Sequence, residues 1–323
     1  MTANGRPQAP LMTNTQADRV KEVARLAGRP SRLRRREFLA EGPQAVREAL
    51  RLHLERYDAG RAGVVVDVYA TPEALERHPD LADLLRQDGA PGVREATLEV
   101  LAAMSSTVTP QGFVAVCAFV DVPLEDVLAA SPRLVAVLVE VRDPGNAGTI
   151  IRAADSAGAD AVILTGASVD PYNPKTVRST AGSLFHVPLV LGADSESLLH
   201  RLRESGLTVL AADGHGTTDL DELQDAAAGR RFSARQGAGP ATPEPDEGPS
   251  GPKTDSTAEP RAVRLEDGGA WLFGNEAQGL PESVGTAADA RVAVPIYGNA
   301  ESLNVGTAAT VCLYASARAQ RLR

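Results

Sequence analysis

Apolar runs alternate with amphipathic stretches along the C-terminal two thirds of the chain. Four runs of strand length occupy residues 134–141, 159–166, 184–191 and 207–213. A Gly-rich turn and a segment with helical spacing, residues 143–158, lie between the first two runs. Strands that alternate with helices are typical of a parallel sheet. We therefore predict a parallel-sheet α/β domain here.

Two later segments, AWLFGNEAQGL and VAVPIYG, are too short to form a domain and should complete the same sheet. Residues 233–260 precede them and are rich in Pro, Gly, Ser and Thr, with almost no large apolar side chain. Such a segment buries too little surface to offset its ordering entropy. We predict a disordered insertion within a domain that spans residues 132–323. An interdomain linker is the alternative.

The N-terminal part has its own pattern. Apolar residues at helical spacing begin at Ala17, and the helical pattern extends to about Leu54. Apolar strands are predicted at residues 62–70 and 112–120, with helices between them. We therefore predict a small α/β domain over residues 17–122. The polar residues 1–16 are predicted to be a disordered tail.

Composition changes this picture little. A length of 323 residues fits two domains, and an aromatic content of 4% requires an aliphatic core. No apolar run reaches the 18 residues or so that a membrane span needs, and the N-terminus lacks the apolar stretch of a signal peptide. We expect a cytoplasmic protein. The two cysteines and five histidines form no metal-ligand spacing, so no metal is expected.

The charge is unevenly distributed. A net charge of −9 argues against a protein that coats nucleic acid, but 30 of the 33 basic residues are arginine. Arginine binds phosphate bidentately. One stretch of eight residues without an acid contains five of them: Arg29, Arg32, Arg34, Arg35 and Arg36. This run is predicted to bind RNA; a solvated helix end is the alternative.

The Gly-rich turn at residues 143–148 has the spacing GxxG. It lacks the GxGxxG of nicotinamide-dinucleotide sites, and the chain has no P-loop, which argues against an oxidoreductase on a Rossmann sheet. Arg152 follows near the helix N-terminus, which favours anions, and its neighbours predict a half-buried position. Asn146 and Gly148 also fit ordinary turn chemistry.

Two further clusters lie near the C-terminus. In residues 273–280, two glycines frame Glu276, which suggests a loop whose backbone approaches a ligand; a surface turn is the alternative. In residues 294–306, Ser302 and Asn304 precede a helix rich in small residues. Both residue types are good helix N-caps, which would equally explain them.

Taken in order, the three clusters read NxGxxxR at 146–152, GxExxG at 274–279 and PIxGxxxSLNVG at 295–306. They resemble the three signature motifs of the SpoU/TrmH-type RNA ribose 2′-O-methyltransferases. The N-terminal part, with LAEGPQAVREAL and MSSTVTPQGFVAV, resembles the substrate-binding domain often fused to this family, which is like ribosomal protein L30e. The resemblance covers residues 17–323 except the insertion.

The resemblance implies a SPOUT catalytic domain with a C-terminal trefoil knot, a homodimer with each active site near the subunit interface, and S-adenosylmethionine as the cofactor. Carried over by position, the cofactor-binding residues are Gly274, Val294, Ile296 and Leu303. Gly306 stands where many relatives have Ser.

The resemblance also implies catalytic residues. Arg152 matches an arginine held to be essential, and Asn146, Glu276, Ser302 and Asn304 would orient it and the ribose. Because a guanidinium stays protonated, a clamp on phosphate and the developing alkoxide is favoured over a general base. The expected activity is methyl transfer to a ribose 2′-hydroxyl of structured RNA, favouring 23S ribosomal RNA. The alternatives are a transfer RNA substrate and a non-catalytic RNA-binding protein.

Overall fold

The computed structural model describes residues 10–107, 109–236 and 262–321. The first domain is a mixed sheet flanked by helices. Its elements are α1 (Asp18–Ala24), a 3₁₀ turn (Arg25–Ala27), α2 (Arg29–Arg35), β1 (Glu37–Glu41), α3 (Pro43–Asp58), β2 (Val65–Ala70), α4 (Pro72–Arg77), α5 (Pro79–Leu84), β3 (Val93–Glu95), α6 (Leu98–Met104) and β4 (Phe113–Ala118).

Among the described residues, this sheet has four strands in the order β1-β4-β2-β3. Strand β4 is antiparallel to both neighbours, and β3 is parallel to β2. Helices α1 and α6 cover one face through Val20, Val23 and Val100. Helix α3 covers the other face, whose apolar core continues into the second domain.

Two N-terminal predictions need correction. The helical pattern predicted from Ala17 to about Leu54 is interrupted by β1, a short strand whose last four residues are all buried, so it shows no alternation that would reveal it. Residues 10–16 are not a tail. Met12 accepts a hydrogen bond from Thr97 and donates one to Glu95, which extends the edge beside β3. Residues 1–9 lie outside the described residues.

The second domain is a parallel sheet between two helical layers. Its elements are α7 (Leu124–Ala129), β5 (Leu134–Leu138), α8 (Pro144–Ala157), β6 (Ala161–Thr165), α9 (Pro174–Thr180), a 3₁₀ turn (Ser183–Phe185), β7 (Leu189–Ala193), α10 (Ser195–Glu204), β8 (Thr208–Ala212), β9 (Thr218–Asp219), α11 (Leu220–Gln236), β10 (Gly269–Phe273), α12 (Glu282–Ala287), β11 (Ala290–Ala293) and α13 (Val305–Gln320).

Seven described strands form this sheet in the order β7-β6-β5-β10-β8-β11-β9, and every pairing is parallel. The central strands β5 and β10 are buried on both faces, which explains their continuous apolar runs. Because all strands run the same way, the loops after β5, β8, β10 and β11 meet at one edge.

Three boundaries differ from the prediction. Residues 184–191 are a 3₁₀ turn followed by a strand that begins at Leu189. Helix α7 packs into the second domain's core through Leu124 and Val127, so this core begins before residue 132. Helix α11 continues to Gln236, into the segment predicted as disordered, and residues 237–260 lie outside the described residues.

A buried tyrosine joins the two domains. The Tyr172 hydroxyl accepts hydrogen bonds from the backbone N–H groups of Val120 (2.9 Å) and Asp121 (2.8 Å), and it donates to the Asp121 carboxylate (2.8 Å). Burial raises the pKa of Tyr172, which keeps this proton in place. Its ring stacks on Phe119 at 3.9 Å. The first domain is thus held firmly against the second.

Candidate active site

The first turn of α8 is fixed by its own cap. Asp143 is the N-cap, and its carboxylate accepts the backbone N–H of Asn146 at 2.8 Å, while Pro144 occupies the first helical position. That hydrogen bond, together with the ammonium of Lys175, lowers the pKa of Asp143. The turn that the sequence showed as DPGN is therefore a helix start that presents the Asn146 side chain to the sheet edge.

Asn304 links two helices. Its side-chain oxygen caps α13 by accepting the N–H groups of Gly306 (2.9 Å) and Thr307 (3.3 Å). Its Nδ2 donates to the side-chain oxygen of Asn146 at 2.9 Å. Asn304 is thus both the helix cap that its residue type suggested and a member of the site.

Glu276 completes this group. Its Oε1 accepts from Nδ2 of Asn146 at 3.1 Å and from the backbone N–H of Asp143 at 3.2 Å. Its Oε2 accepts the backbone N–H of Arg142 at 3.4 Å. Asn146 lies 130 positions before Glu276 and 158 positions before Asn304 in the sequence. The three side chains nevertheless form one continuous series of hydrogen bonds.

A tight loop after β10 positions Glu276. Asn275 and Gly279 exchange backbone hydrogen bonds of 2.9 and 2.8 Å, and the Asn275 side chain accepts the N–H of Ala277. A Cβ on Gly274 would lie 2.4 Å from the carbonyl carbon of Gly279. Gly274 is required because the loop folds back onto its own backbone at Gly279. This contact explains the glycine without the approach of a ligand.

Gly306 also has a packing reason. A Cβ there would lie 2.9 Å from a methyl carbon of Thr149 and 3.2 Å from the side-chain oxygen of Asn304. Helix α13 therefore approaches α8 too closely for a larger residue unless Thr149 shifts. This contact offsets the helix propensity that glycine lacks.

A cleft of about 550 Å³ opens beside this group. Its walls are the loops that follow β8, β10 and β11. All four predicted cofactor residues, and four of the five predicted catalytic residues, line it: Gly274, Val294, Ile296, Leu303, Asn146, Glu276, Ser302 and Asn304. Ser302 is exposed at the cleft, two residues before the Asn304 cap.

Sequence reasoning missed Asp213, which follows β8 and also lines the cleft. Partial burial raises its pKa, but hydrogen bonds from the backbone of His215 and from Arg291 outweigh this and lower the pKa overall. Arg291 lies 2.6 Å away. The sequence signal was only an acid at the carboxyl end of a strand.

Arg152 lies elsewhere. It is exposed on α8, six residues beyond Asn146, and is not among the residues that line the cleft. The predicted half-buried position is wrong, because the buried face of α8 passes through Ile151 and Ala154 instead. Within the described parts of the chain, Arg152 has no hydrogen bond or ion pair.

The arginine run is mostly committed to ion pairs. Arg32 is 2% exposed; it pairs with Asp170 at 2.6 Å and donates to the carbonyl oxygen of Leu26. Its assignment to an RNA-binding surface is wrong. Arg35 pairs with Glu37, and Arg36 pairs with Asp121. Arg29 and Arg34 are exposed.

No described helix is long and apolar enough to cross a membrane. In the described ranges, no group of three or more His, Cys, Asp or Glu side chains could hold a metal ion. Cys117 and Cys312 are buried and separate.

Comparison with known families identifies the class. The SpoU rRNA methylase family matches residues 133–236 and 248–314, more than half of the chain. The MRM3-like substrate binding domain matches residues 17–115. The chain belongs to the SpoU rRNA methylase family.

Individual relatives agree over nearly the full length. The chain is 30% identical over 298 residues to 23S rRNA (guanosine(2553)-2′-O)-methyltransferase RlmP of Bacillus subtilis, covering 92% of this chain and 94% of the relative. The AdoMet-bound rRNA methyltransferase of Sinorhizobium meliloti superimposes with a TM-score of 0.71 at 27% identity, covering 98% of this chain and all of that one. AviRb of Streptomyces viridochromogenes, in complex with AdoMet, superimposes with a TM-score of 0.68 at 25% identity, covering 94% of this chain and 98% of that one.

These findings confirm the predicted family, the two-part α/β fold and the enzyme class, an RNA ribose 2′-O-methyltransferase. They also confirm S-adenosylmethionine as the methyl donor.

Proposed function

We propose that this protein methylates a ribose 2′-hydroxyl of 23S ribosomal RNA in the cytoplasm. The observation that carries the proposal is the hydrogen-bonded group Glu276–Asn146–Asn304 at the rim of the cleft. The choice of RNA is supported by RlmP and by a second relative, the 23S rRNA (uridine(2479)-2′-O)-methyltransferase of Streptomyces viridochromogenes, 28% identical over 63% of this chain and 60% of that one.

The cleft fits S-adenosylmethionine. Its volume lies within the range of roughly 300–1,000 Å³ usual for small-molecule sites. Val294, Ile296 and Leu303 offer apolar surface for the adenine, and the backbone at Gly274 supplies polar groups. When bound, S-adenosylmethionine supplies an electrophilic methyl group.

The residues of the chain orient the acceptor. Asn146 is held from both sides, because its amide donates to Glu276 and its oxygen accepts from Asn304. A side chain fixed in this way loses little entropy when a ribose binds beside it. Ser302 offers a hydroxyl at the same rim.

Arg152 acts as a clamp on the phosphate next to the target ribose and stabilises charge as the 2′-hydroxyl loses its proton. A guanidinium offers five donors in a planar fork but no lone pair for a proton. Its lack of a partner among the described residues leaves all five donors for substrate. A general-base role is the alternative.

A homodimer would bring Arg152 to a cleft. The exposed strip of α8 that carries Thr149 and Arg152 lies beside exposed side chains of α13, Val311 at 37% and Tyr314 at 49% exposure. Tyr314 donates to the carbonyl oxygen of Ser156 in this strip. We propose that a second copy covers the strip and that each Arg152 serves the partner's cleft.

Mixing two inactive variants tests this arrangement. If Arg152 acts across the interface, subunits with Arg152→Ala and with Asn304→Ala should restore about a quarter of wild-type activity, because half of randomly mixed dimers then hold one intact site of two. No recovery, with mixed dimers shown by mass spectrometry, would place Arg152 in its own subunit's site.

The family's trefoil knot is part of the same proposal. The loops after β8, β10 and β11 converge on one cleft, and the strand order places β10 between β5 and β8. We propose that the segment from β11 to α13 threads through this loop region as in the family.

In the first domain, residues 17–122, we keep the role of substrate binding, with Arg29 and Arg34 as exposed candidates for phosphate contacts. The direct test of the whole proposal is to map 2′-O-methyl groups in total RNA from cells with and without the protein. Loss of the methyl group at one position of 23S rRNA in cells without the protein supports the proposal. Loss of a methyl group in transfer RNA instead would identify transfer RNA as the substrate.

A further inference from the structure

Helix α9 lies where the two domains meet, and its exposed face is basic. Lys175 and Arg178 stand one turn apart on this face and are both exposed, with Ser179 beside them. The other face of the helix is buried through Thr176 and Val177. The two cations therefore both lie on the solvent-facing side of the helix.

The Arg178 end reaches the first domain. Its Nη1 donates to Ser106 Oγ at 2.6 Å and to the carboxylate of Glu41 at 3.0 Å. Glu41 is nearly buried and also accepts the backbone N–H of Ser106. Both contacts of Arg178 among the described residues use Nη1, which leaves Nη2 and Nε for another acceptor.

The Lys175 end lies beside the N-cap of α8, close to the cleft residue Asn146. Its ammonium lies 3.4 Å from Oδ2 of Asp143, whose Oδ1 caps Asn146. Both side chains of this ion pair are about half exposed, at 60% and 45%. Exposed pairs contribute little, about 0–1 kcal/mol, so an incoming phosphate can compete for the ammonium.

We infer that helix α9 carries the substrate's RNA backbone from the first domain to the cleft, with phosphates bound by Arg178 at the domain junction and by Lys175 at the rim. The inference rests on the proposed function and adds the path that the strand takes. Contacts of this kind set register and orientation without reading sequence. The surface fits RNA rather than a protein partner because it offers exposed cations and hydroxyls without an apolar centre.

The lysine content gives a direct test. The chain has only three lysines, Lys21, Lys175 and Lys253. Lys21 is exposed on α1 and has no side-chain contact among the described residues, so it serves as an internal control. The full-length protein is acetylated with an N-hydroxysuccinimide ester, with and without unmodified 23S rRNA transcript, and each site is quantified by mass spectrometry.

We expect bound RNA to slow the acetylation of Lys175 more than that of Lys21, which serves as the reference for the general reactivity of lysine. In a second measurement, Lys175→Ala should raise the KM for RNA by about fivefold to tenfold with little change in kcat, since one charge-assisted contact is lost. The slope of affinity against salt concentration should fall by about one. Arg201→Ala, which removes a cation of α10 in the second domain, should change neither quantity, and binding of S-adenosylhomocysteine should match wild type in both variants.

Equal acetylation of Lys175 with and without an RNA that the wild type methylates would overturn the inference, as would an unchanged KM for Lys175→Ala. A wild-type protein that binds this RNA without methylating it would instead count against the proposed substrate. In that case, the protection of Lys175 from acetylation by the bound RNA would still show whether α9 contacts the RNA.

Discussion

The cleft motifs and the Arg29–Arg36 run were both candidate functional regions in the sequence, but the fold uses them differently. The motif residues Asn146, Glu276 and Asn304 converge on one hydrogen-bonded group. Two of the arginines instead pair with acids far along the chain: Arg32 with Asp170, 138 residues away, and Arg36 with Asp121, 85 residues away. The absence of acids within the run therefore does not predict whether the folded protein places distant acids beside its arginines.

The difference has a physical cause. In a parallel sheet, loops at the carboxyl ends of the strands meet at one edge, so ordered motifs placed after strands have a predictable meeting point. A basic run on a short helix has no such constraint. Burial of Arg32 between the domains therefore could not be read from its neighbours.

The largest effect is expected for Arg152→Ala. Loss of the only proposed charge clamp on the transition state should lower kcat by about a thousandfold. Cofactor binding should stay within a few-fold of wild type, because Arg152 does not line the cleft of its own subunit and its proposed contact in the partner's site is with the RNA phosphate. Tritiated methyl transfer to unmodified ribosomal RNA measures kcat, and calorimetric titration with S-adenosylhomocysteine measures the affinity for the cofactor.

Arg152→Lys is the matched control. It should recover little activity, since an ammonium lacks the planar fork that grips phosphate. Near-normal turnover in Arg152→Ala would contradict the clamp. Lost cofactor binding in a folded protein would move Arg152 into the cofactor site.

A smaller effect is expected for Asn304, which has two separable tasks. Asn304→Ala loses the cap of α13 and the contact to Asn146, so stability should fall by about 1 kcal/mol and activity by about a hundredfold. Asn304→Ser should keep the cap but not the contact. Stability recovered without activity would show that the contact to Asn146 matters for catalysis, whereas joint recovery would make Asn304 only a cap.

Within the arginine run, Arg32 and Arg34 should behave differently. Arg32→Ala leaves the Asp170 carboxylate without its cationic partner at the domain junction and should lower the free energy of unfolding by about 3 kcal/mol. Arg34→Ala should change stability by less than about 0.5 kcal/mol. Urea unfolding of both variants measures this; equal losses would mean that the Arg32 pair does not hold the domains together.

The sequence was informative where residues act through a shared pattern. Alternation of apolar runs predicted the parallel sheet, and the three motifs predicted most residues that line the cleft. Strand β1, the position of Arg152 and the role of Asp213 were not predictable in the same way. Each depends on packing partners distant in the chain: β1 is buried by helices on both faces, and Asp213 is fixed by Arg291.

The smallest expected effect concerns His186, which joins the domains by a titratable contact. Its Nδ1 lies 2.8 Å from Asp155 in the second domain, and its Nε2 lies 3.3 Å from Glu48 in the first. Burial lowers the pKa of His186, but the hydrogen bonds to Asp155 and Glu48 outweigh it and raise the pKa overall. Only the protonated ring can donate to both carboxylates at once.

Because the folded protein binds this proton more tightly than the unfolded chain, the stabilisation is fully present below the unfolded histidine pKa of about 6.5. It is lost as the pH rises through the higher folded value. The effect should be modest, since the imidazole is 42% exposed and solvent screens it.

The melting temperatures of wild type and His186→Gln should therefore differ more at pH 6 than at pH 8.5. His200→Gln, which removes an exposed histidine paired only with Glu204 among the described residues, is the control and should show a smaller difference. If the two variants respond alike to pH, the contact between Glu48, His186 and Asp155 contributes nothing specific to holding the domains together.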